Sequence, residues 1–124
     1  MIGSIGIDLV DVTRVQRLVE RHGERFLNRI LGPKEKEYYG ERHDRFQFLA
    51  GRFAAKEAVI KALGKYITDR PPLNTIQIIN DNTGQPMLKL SDELTRQLCH
   101  VNAQVSISHE KSHAVAMVVF WEKS

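Results

Sequence analysis

Residues Asp44 to Gly64 read DRFQFLAGRFAAKEAVIKALG, and this stretch decides the fold class. Phe46, Leu49, Phe53, Ile60 and Leu63 recur at helical spacing, which predicts one long helix of about 30 Å with a single apolar stripe. Asp44 can cap its start, and Gly64 suits the C′ position at its end. Every other element is shorter. Upstream, Ile2 to Val10 alternates with Ile5, Ile7 and Leu9 on one face and Gly6 and Asp8 on the other, the period of a strand. A helical period follows, with Val15, Leu18 and Val19 as its apolar face and Asp11 or Thr13 as N-cap, and it breaks near Gly23. Gly32-Pro33 then opens a short helix over Lys34 to Tyr39. Downstream of the long helix, Arg70-Pro71-Pro72 interrupts the chain. Thr75 to Asn80 and Met87 to Leu90 flank the turn residues Asp81-Asn82-Thr83-Gly84 as a hairpin. Ser91 opens a helix through Leu98, and Gln104 to Ser108 and Ala114 to Trp121 are closing strands. The order is mixed, without repeats or linkers. It predicts an α+β fold in one domain spanning residues 1–124, a largely antiparallel sheet packed against the long helix.

Composition narrows the function classes. With 124 residues, 42% of them hydrophobic and 27% charged, the chain has the profile of an ordinary soluble domain. No apolar run approaches the roughly 20 residues that span a bilayer. The N-terminus lacks the basic region and cleavage site of a signal peptide, so the cytoplasm is expected and a membrane partner is not. The single cysteine, Cys99, excludes an internal disulfide and a Cys-rich zinc site. The net charge of +3 fits acidic partners without specifying one. A chain this short leaves little material for a deep private cleft, and the last strand is apolar on both faces, which points to a site shared between subunits.

Three constellations carry chemistry. On a helical wheel Glu57 falls about 20° from Phe46, on the stripe expected to be buried, with Lys61 one turn later in the favourable Glu-to-Lys order. Asp8, at the end of the first strand, is a second carboxylate of this kind. Each alone reads equally as a structural ion pair or a strand end. Together they suit Mg²⁺, which is commonly held by one or two carboxylates plus substrate phosphates. Arg52, Lys56, Lys61 and Lys65 surround Glu57 as candidate phosphate cations, two or three of them explicable as a solvated flank. The second constellation is Arg14, Arg17, Arg21 and Arg25, which share an arc of about 80° if their helix is continuous. That arc is either a solvated face or a docking strip for an acidic partner or nucleic acid, and no aromatic residue interleaves it before Phe26, which argues against base stacking. The third, His109-Glu110-Lys111-Ser112-His113, matches a zinc-protease pattern but lies between strands rather than on the helix that chemistry needs. His43-Asp44 similarly lacks the distributed ligands of a phosphohydrolase of the HD type.

The order of pieces resembles the bacterial holo-[acyl-carrier-protein] synthases, the small type of 4′-phosphopantetheinyl transferase, nearly end to end. The resemblance is carried by Gly6-Ile7-Asp8 followed by Arg14, by Arg52 to Gly64 (RFAAKEAVIKALG), by Gly84-Gln85-Pro86, and by Val105-Ser106-Ile107-Ser108-His109. It implies Mg²⁺-dependent transfer of phosphopantetheine from coenzyme A to a serine of apo acyl carrier protein, in fatty acid biosynthesis, with release of adenosine 3′,5′-bisphosphate. It also implies a homotrimer with active sites at subunit interfaces. By the same resemblance Asp8 and Glu57 are metal ligands, Lys61 is a catalytic phosphate contact, and Arg52, Gly64, Pro86 and His109 join Lys61 in binding coenzyme A. Arg14, Arg21, Arg25 and Phe26 would receive the acidic carrier, leaving no role for nucleic acid. Glu57 is the expected acceptor of the serine proton, directly or through a water of the metal's shell. The chain departs from the family's Gly-Thr-Gly-like turn, having Gly64-Lys65-Tyr66-Ile67. Two readings outside this family are a Mg²⁺-dependent nucleotide phosphohydrolase and a silent module whose basic helix binds an acidic protein.

Overall fold

The computed structural model describes residues 1–124. Strand β1 (Ile2–Asp11) leads into helices α1 (Val12–His22), α2 (Glu24–Ile30), α3 (Pro33–Glu41) and the long α4 (Arg45–Leu63). A 3₁₀ turn (Leu73–Thr75) precedes the hairpin β2 (Ile76–Asn80) and β3 (Pro86–Leu90), then α5 (Asp92–Gln97), β4 (Val101–His109) and β5 (His113–Glu122). Strands β1, β5 and β4 form an antiparallel sheet in that order, and β2 and β3 form a separate two-stranded one. This is the expected α+β class. The turn and cap signals hold: Asp11 accepts from the Thr13 and Arg14 amides, Ser91 accepts from Leu94, and Gly84 closes the hairpin turn at φ 87°. No helix is long and apolar enough to cross a membrane.

Helix α4 lies across one face of the large sheet. The register sets Gly6 beside Val118, Asp8 beside Ala116 and Val10 beside Ala114, and these residues make the face that meets the helix. The approach is close: a β-carbon on Gly6 would stand 1.9 Å from the Ala58 carbonyl oxygen. Only glycine fits there. On the helix side the matching residues are small, with Ala54, Ala55, Ala58 and Ala62 fully buried. The expected stripe of large residues is therefore only partly the buried one, since Phe53 and Ile60 are half-exposed. The helix is covered from two sides, by the sheet and by α1 to α3 with β2, so the periodicity of its large side chains marks only one of its contacts.

Two expectations about its ends are corrected. Gly64 is right-handed (φ −54°, ψ −23°), so it ends α4 without the left-handed conformation that favours glycine. Asp44 precedes the helix but caps no amide with its side chain, which a nearby guanidinium holds instead. The arginine arc is interrupted as well: Gly23, at φ 55°, separates α1 from α2, so Arg14, Arg17 and Arg21 stand on one helix and Arg25 on another.

Lys56, read from sequence as a flank residue, has no solvent exposure. Its ammonium donates to Glu35 Oε1 at 2.6 Å, to the Leu73 carbonyl at 3.1 Å and to the Ile30 carbonyl. Glu35, equally buried, accepts from the Gly32 amide at 3.0 Å and the Ile78 amide at 2.9 Å. Burial pulls Lys56 below the ordinary lysine value, and the charge of Glu35 opposes that pull. Removing one partner of such a pair strands a charge in the core. Glu35→Gln is expected to cost about 3–5 kcal/mol in urea unfolding, and Glu35→Gln combined with Lys56→Met to recover part of that loss. A single variant as stable as the parent would show that the pair does not hold the core.

Candidate active site

Asp8 projects from the helix-facing side of β1, and Glu57 from α4. Both are largely shielded, with side chains 20% and 24% exposed, and each is matched by one cation. Lys61 Nζ donates to Asp8 Oδ1 at 3.0 Å and to the Ile7 carbonyl at 2.8 Å. The expected Glu57–Lys61 pair does not form. Arg70, in the connection after α4, donates from Nη2 to Glu57 Oε1 at 2.9 Å. Since Lys61 is one turn beyond Glu57, Asp8 stands opposite the same part of the helix as Glu57. The chain has no cluster of three or more His, Cys, Asp or Glu residues. A cation at this corner would take oxygen ligands from two carboxylates and fill its remaining positions with water or phosphate, which is the coordination Mg²⁺ accepts.

A second group gathers near the start of α4. Arg52 is buried, with its guanidinium 4.6 Å above the Phe48 ring and 3.4 Å from Asn80 Oδ1. Arg42 stacks on the same phenyl ring at 4.9 Å and holds Asp44 through two bonds of 2.6 and 2.8 Å. His109, at the end of β4, brings Nε2 to 3.9 Å from Asp44 Oδ2. Arg42, Phe48, Arg52 and His109, with Asn80, Gly84 and Pro86, line a cavity of about 190 Å³. Burial pulls Arg52 below the ordinary arginine value, Glu35 opposes this, and Arg42 adds to it. The hydrogen bond from Arg42 holds Asp44 below the usual carboxylate range. Arg42 spends its charge on Asp44, while Arg52 Nε is buried without a hydrogen-bond partner, 3.9 Å from the Glu35 carboxylate that Lys56 already neutralises. Such a cavity suits an anion. A larger cavity of about 570 Å³ lies between β3 and β4 and shares Pro86, but its only charged lining residues are Asp81 and Lys123, of opposite sign.

The structure thus brings Arg52, Pro86 and His109 together and joins Lys61 to Asp8, with Glu57 one turn before Lys61 on α4, but it keeps the two groups apart. Along α4, Arg52 and Lys61 are separated by roughly 13 Å of rise and about half a turn of rotation. Gly64 is exposed at the helix end and joins neither cavity wall around Arg52. Of the four cations around Glu57, Arg52 and Lys56 are buried, and Lys61 and Lys65 form the solvated flank. Arg14 and Arg21 are exposed on α1; Arg25 lies on α2 beside Phe26, whose ring packs edge-on against Phe53 at 6.1 Å. His109 and His113 stand across the β4–β5 hairpin, where Glu110 accepts from the Ser112 and His113 amides, so the zinc-protease pattern is a turn. At the departure from the family's glycine turn, Tyr66 packs edge-on against Phe120 and closes over Gly3, where a β-carbon would meet its hydroxyl at 2.1 Å. Arg42, Asn80 and Arg70 were not legible as site residues: Arg42 lies in a polar loop, Asn80 ends a strand, and Arg70 reads only as part of a break before two prolines.

Comparison with known proteins identifies the family. Residues 4–118 match the model of the 4′-phosphopantetheinyl transferase superfamily. The holo-[acyl-carrier-protein] synthase of Trichlorobacter lovleyi is 42% identical over 122 residues, 96% of this chain and 97% of the relative. That of Halorhodospira halophila is also 42% identical, with the same coverage of both chains. Among solved structures, the Neisseria meningitidis holo-[acyl-carrier-protein] synthase superposes with a TM-score of 0.89 at 34% identity, covering 98% of this chain and 100% of that one. A Bacillus anthracis holo-(acyl-carrier-protein) synthase, in complex with CoA (3′,5′-ADP), gives a TM-score of 0.79 at 37% identity over 100% of this chain and 99% of its own. With both its length and its fold shared in this way, the chain belongs to the 4′-phosphopantetheinyl transferase superfamily, among the holo-[acyl-carrier-protein] synthases.

Proposed function

We propose that this chain, acting as one domain in the cytoplasm, transfers 4′-phosphopantetheine from coenzyme A to a serine of apo acyl carrier protein and releases adenosine 3′,5′-bisphosphate. The carrier so modified would serve fatty acid biosynthesis. The observation that carries the reading is the presence beside one helix of both a two-carboxylate corner, Asp8 from β1 and Glu57 from α4, and a separate cationic cavity. A pyrophosphate needs the first and a nucleotide phosphate the second. Asp8 and Glu57 would hold Mg²⁺, whose charge would offset that of the pyrophosphate. In phosphoryl transfer the protein's main work is to position the reactants and neutralise charge. Lys61 would share this work, and the hydrogen bonds of its ammonium to the Ile7 carbonyl and Asp8 support that role. The serine oxygen attacks phosphorus while the bond to the bisphosphate leaving group breaks, and Glu57 accepts the serine proton. Arg52, Arg42 and His109 would hold the nucleotide end, and Arg14, Arg21, Arg25 and Phe26 would meet the acidic carrier.

The half-turn between Arg52 and Lys61 has a consequence for assembly. One bound coenzyme A cannot reach both faces of α4 within one chain without passing round the helix, so the two groups serve one site only if neighbouring subunits supply them. The outer face of the large sheet supports this. Ile5, Ile7, Leu9 and Met117 are 54%, 57%, 65% and 43% exposed on one contiguous surface. Apolar patches of this kind mark interfaces. We therefore read the protein as a homotrimer whose sheet faces meet and whose sites combine Asp8 and Glu57 of one subunit with Arg52 and His109 of the next.

Incubated with coenzyme A, Mg²⁺ and the protein, apo carrier is expected to gain the mass of one phosphopantetheine group. Asp8→Ala and Glu57→Ala should each retain the fold by circular dichroism and lose most of that transfer. Near-parental activity in either variant at saturating Mg²⁺ would overturn the metal assignment. Mixed oligomers of Asp8→Ala and Arg52→Ala subunits should regain activity by assembling an intact site at one interface. A fully active monomer by light scattering would refute the shared site.

A further inference from the structure

We propose that Arg70 is an exchangeable counter-cation of Glu57, displaced when a divalent cation binds, and that it thereby sets the affinity of the chain for that cation. The inference rests on the assignment of Asp8 and Glu57 as the metal ligands. Both carboxylates are withdrawn from most of their water, and a carboxylate in that position requires a positive partner. Their partners are held differently. Lys61 has a second acceptor in the Ile7 carbonyl at 2.8 Å, so it keeps its place when Asp8 turns to another cation. Arg70 donates to Glu57 alone, its side chain is 61% exposed, and it sits in the connection that runs into Pro71-Pro72. It also lines an open cavity of about 450 Å³ with Arg29 and Asn74, so the guanidinium has room to leave without disturbing the core.

A metal ion and a guanidinium on the same carboxylate are like charges within about 4 Å of each other, and that repulsion makes their binding competitive. An ion pair as exposed as this one is worth up to about a fivefold factor in a binding constant. Arg70 thus keeps Glu57 compensated in the unloaded protein at a small cost in metal affinity.

Titration calorimetry with MgCl₂ alone on the full chain tests this without any turnover. Arg70→Ala should bind Mg²⁺ about two- to fivefold more tightly than the parent. Arg29→Ala removes the same charge from the same cavity without touching Glu57, and should bind like the parent. Asp8→Ala should lose binding. If Asp8→Ala loses the metal while Arg70→Ala binds no more tightly than the parent, Arg70 is not a competitor and the inference fails alone. If Arg29→Ala tightens binding as much as Arg70→Ala, the general field of the cavity is responsible and the exchange is refuted. If Asp8→Ala binds like the parent, the metal assignment fails and takes the inference with it.

Discussion

A lysine and a glutamate, both without access to solvent, tie the long helix α4 to four other elements of this chain. Lys56 projects from α4 away from the sheet, and the groups that receive its ammonium belong to α3, to the end of α2 and to the 3₁₀ turn before β2. Glu35 continues the connection, through the Ile78 amide, into the small sheet. Neither charge could be buried alone; together, with backbone groups filling the remaining hydrogen-bonding positions, they are satisfied. The result is that four segments distant in sequence have one permitted arrangement about α4. The same carboxylate lies 3.9 Å from Arg52 Nε, so the network that organises this half of the core also borders the cationic cavity.

Helix α4 is then the member that borders both parts of the proposed site. Its sheet side is made of alanines because Gly6 brings β1 to within contact of the Ala58 backbone. That closeness sets Asp8, two residues on, within reach of Lys61. Nearer its start, α4 carries Arg52 into the cavity bordered by Asn80, Pro86 and His109, where Phe48 serves as a platform for two guanidiniums. In the proposed function the two groups are parts of one site, and their separation along α4 suits a ring of subunits better than a monomer. The apolar outer surface of the sheet is what such a ring would bury.

Much of the element order is legible in the sequence because it rests on local rules. The alternation of Ile2 to Val10, the cap at Asp11, the break at Gly23 and the hairpin around Asp81 to Gly84 each depend on residues within a few positions of one another. The carboxylates were legible for a different reason: Glu57 stands where the large-residue stripe has no use for a charge. The partners of those groups were not legible. Lys61 turns to Asp8 rather than to Glu57 one turn away, and Arg70 takes Glu57, because the choice depends on which strand or loop lies over the helix.

The sequence by itself determined the α+β class, the family, and the residue types at the two halves of the candidate site, because periodicity, capping and motif spacing are short-range properties. Tertiary structure alone decided that Lys56 is a core residue rather than a flank cation, that Asp44 answers Arg42 instead of capping α4, and that Lys61 answers Asp8 while Arg70 answers Glu57. The physical reason is common to all three. A charge takes the partner that desolvation leaves within reach, and what is within reach is set by the packing of segments that are far apart in the chain.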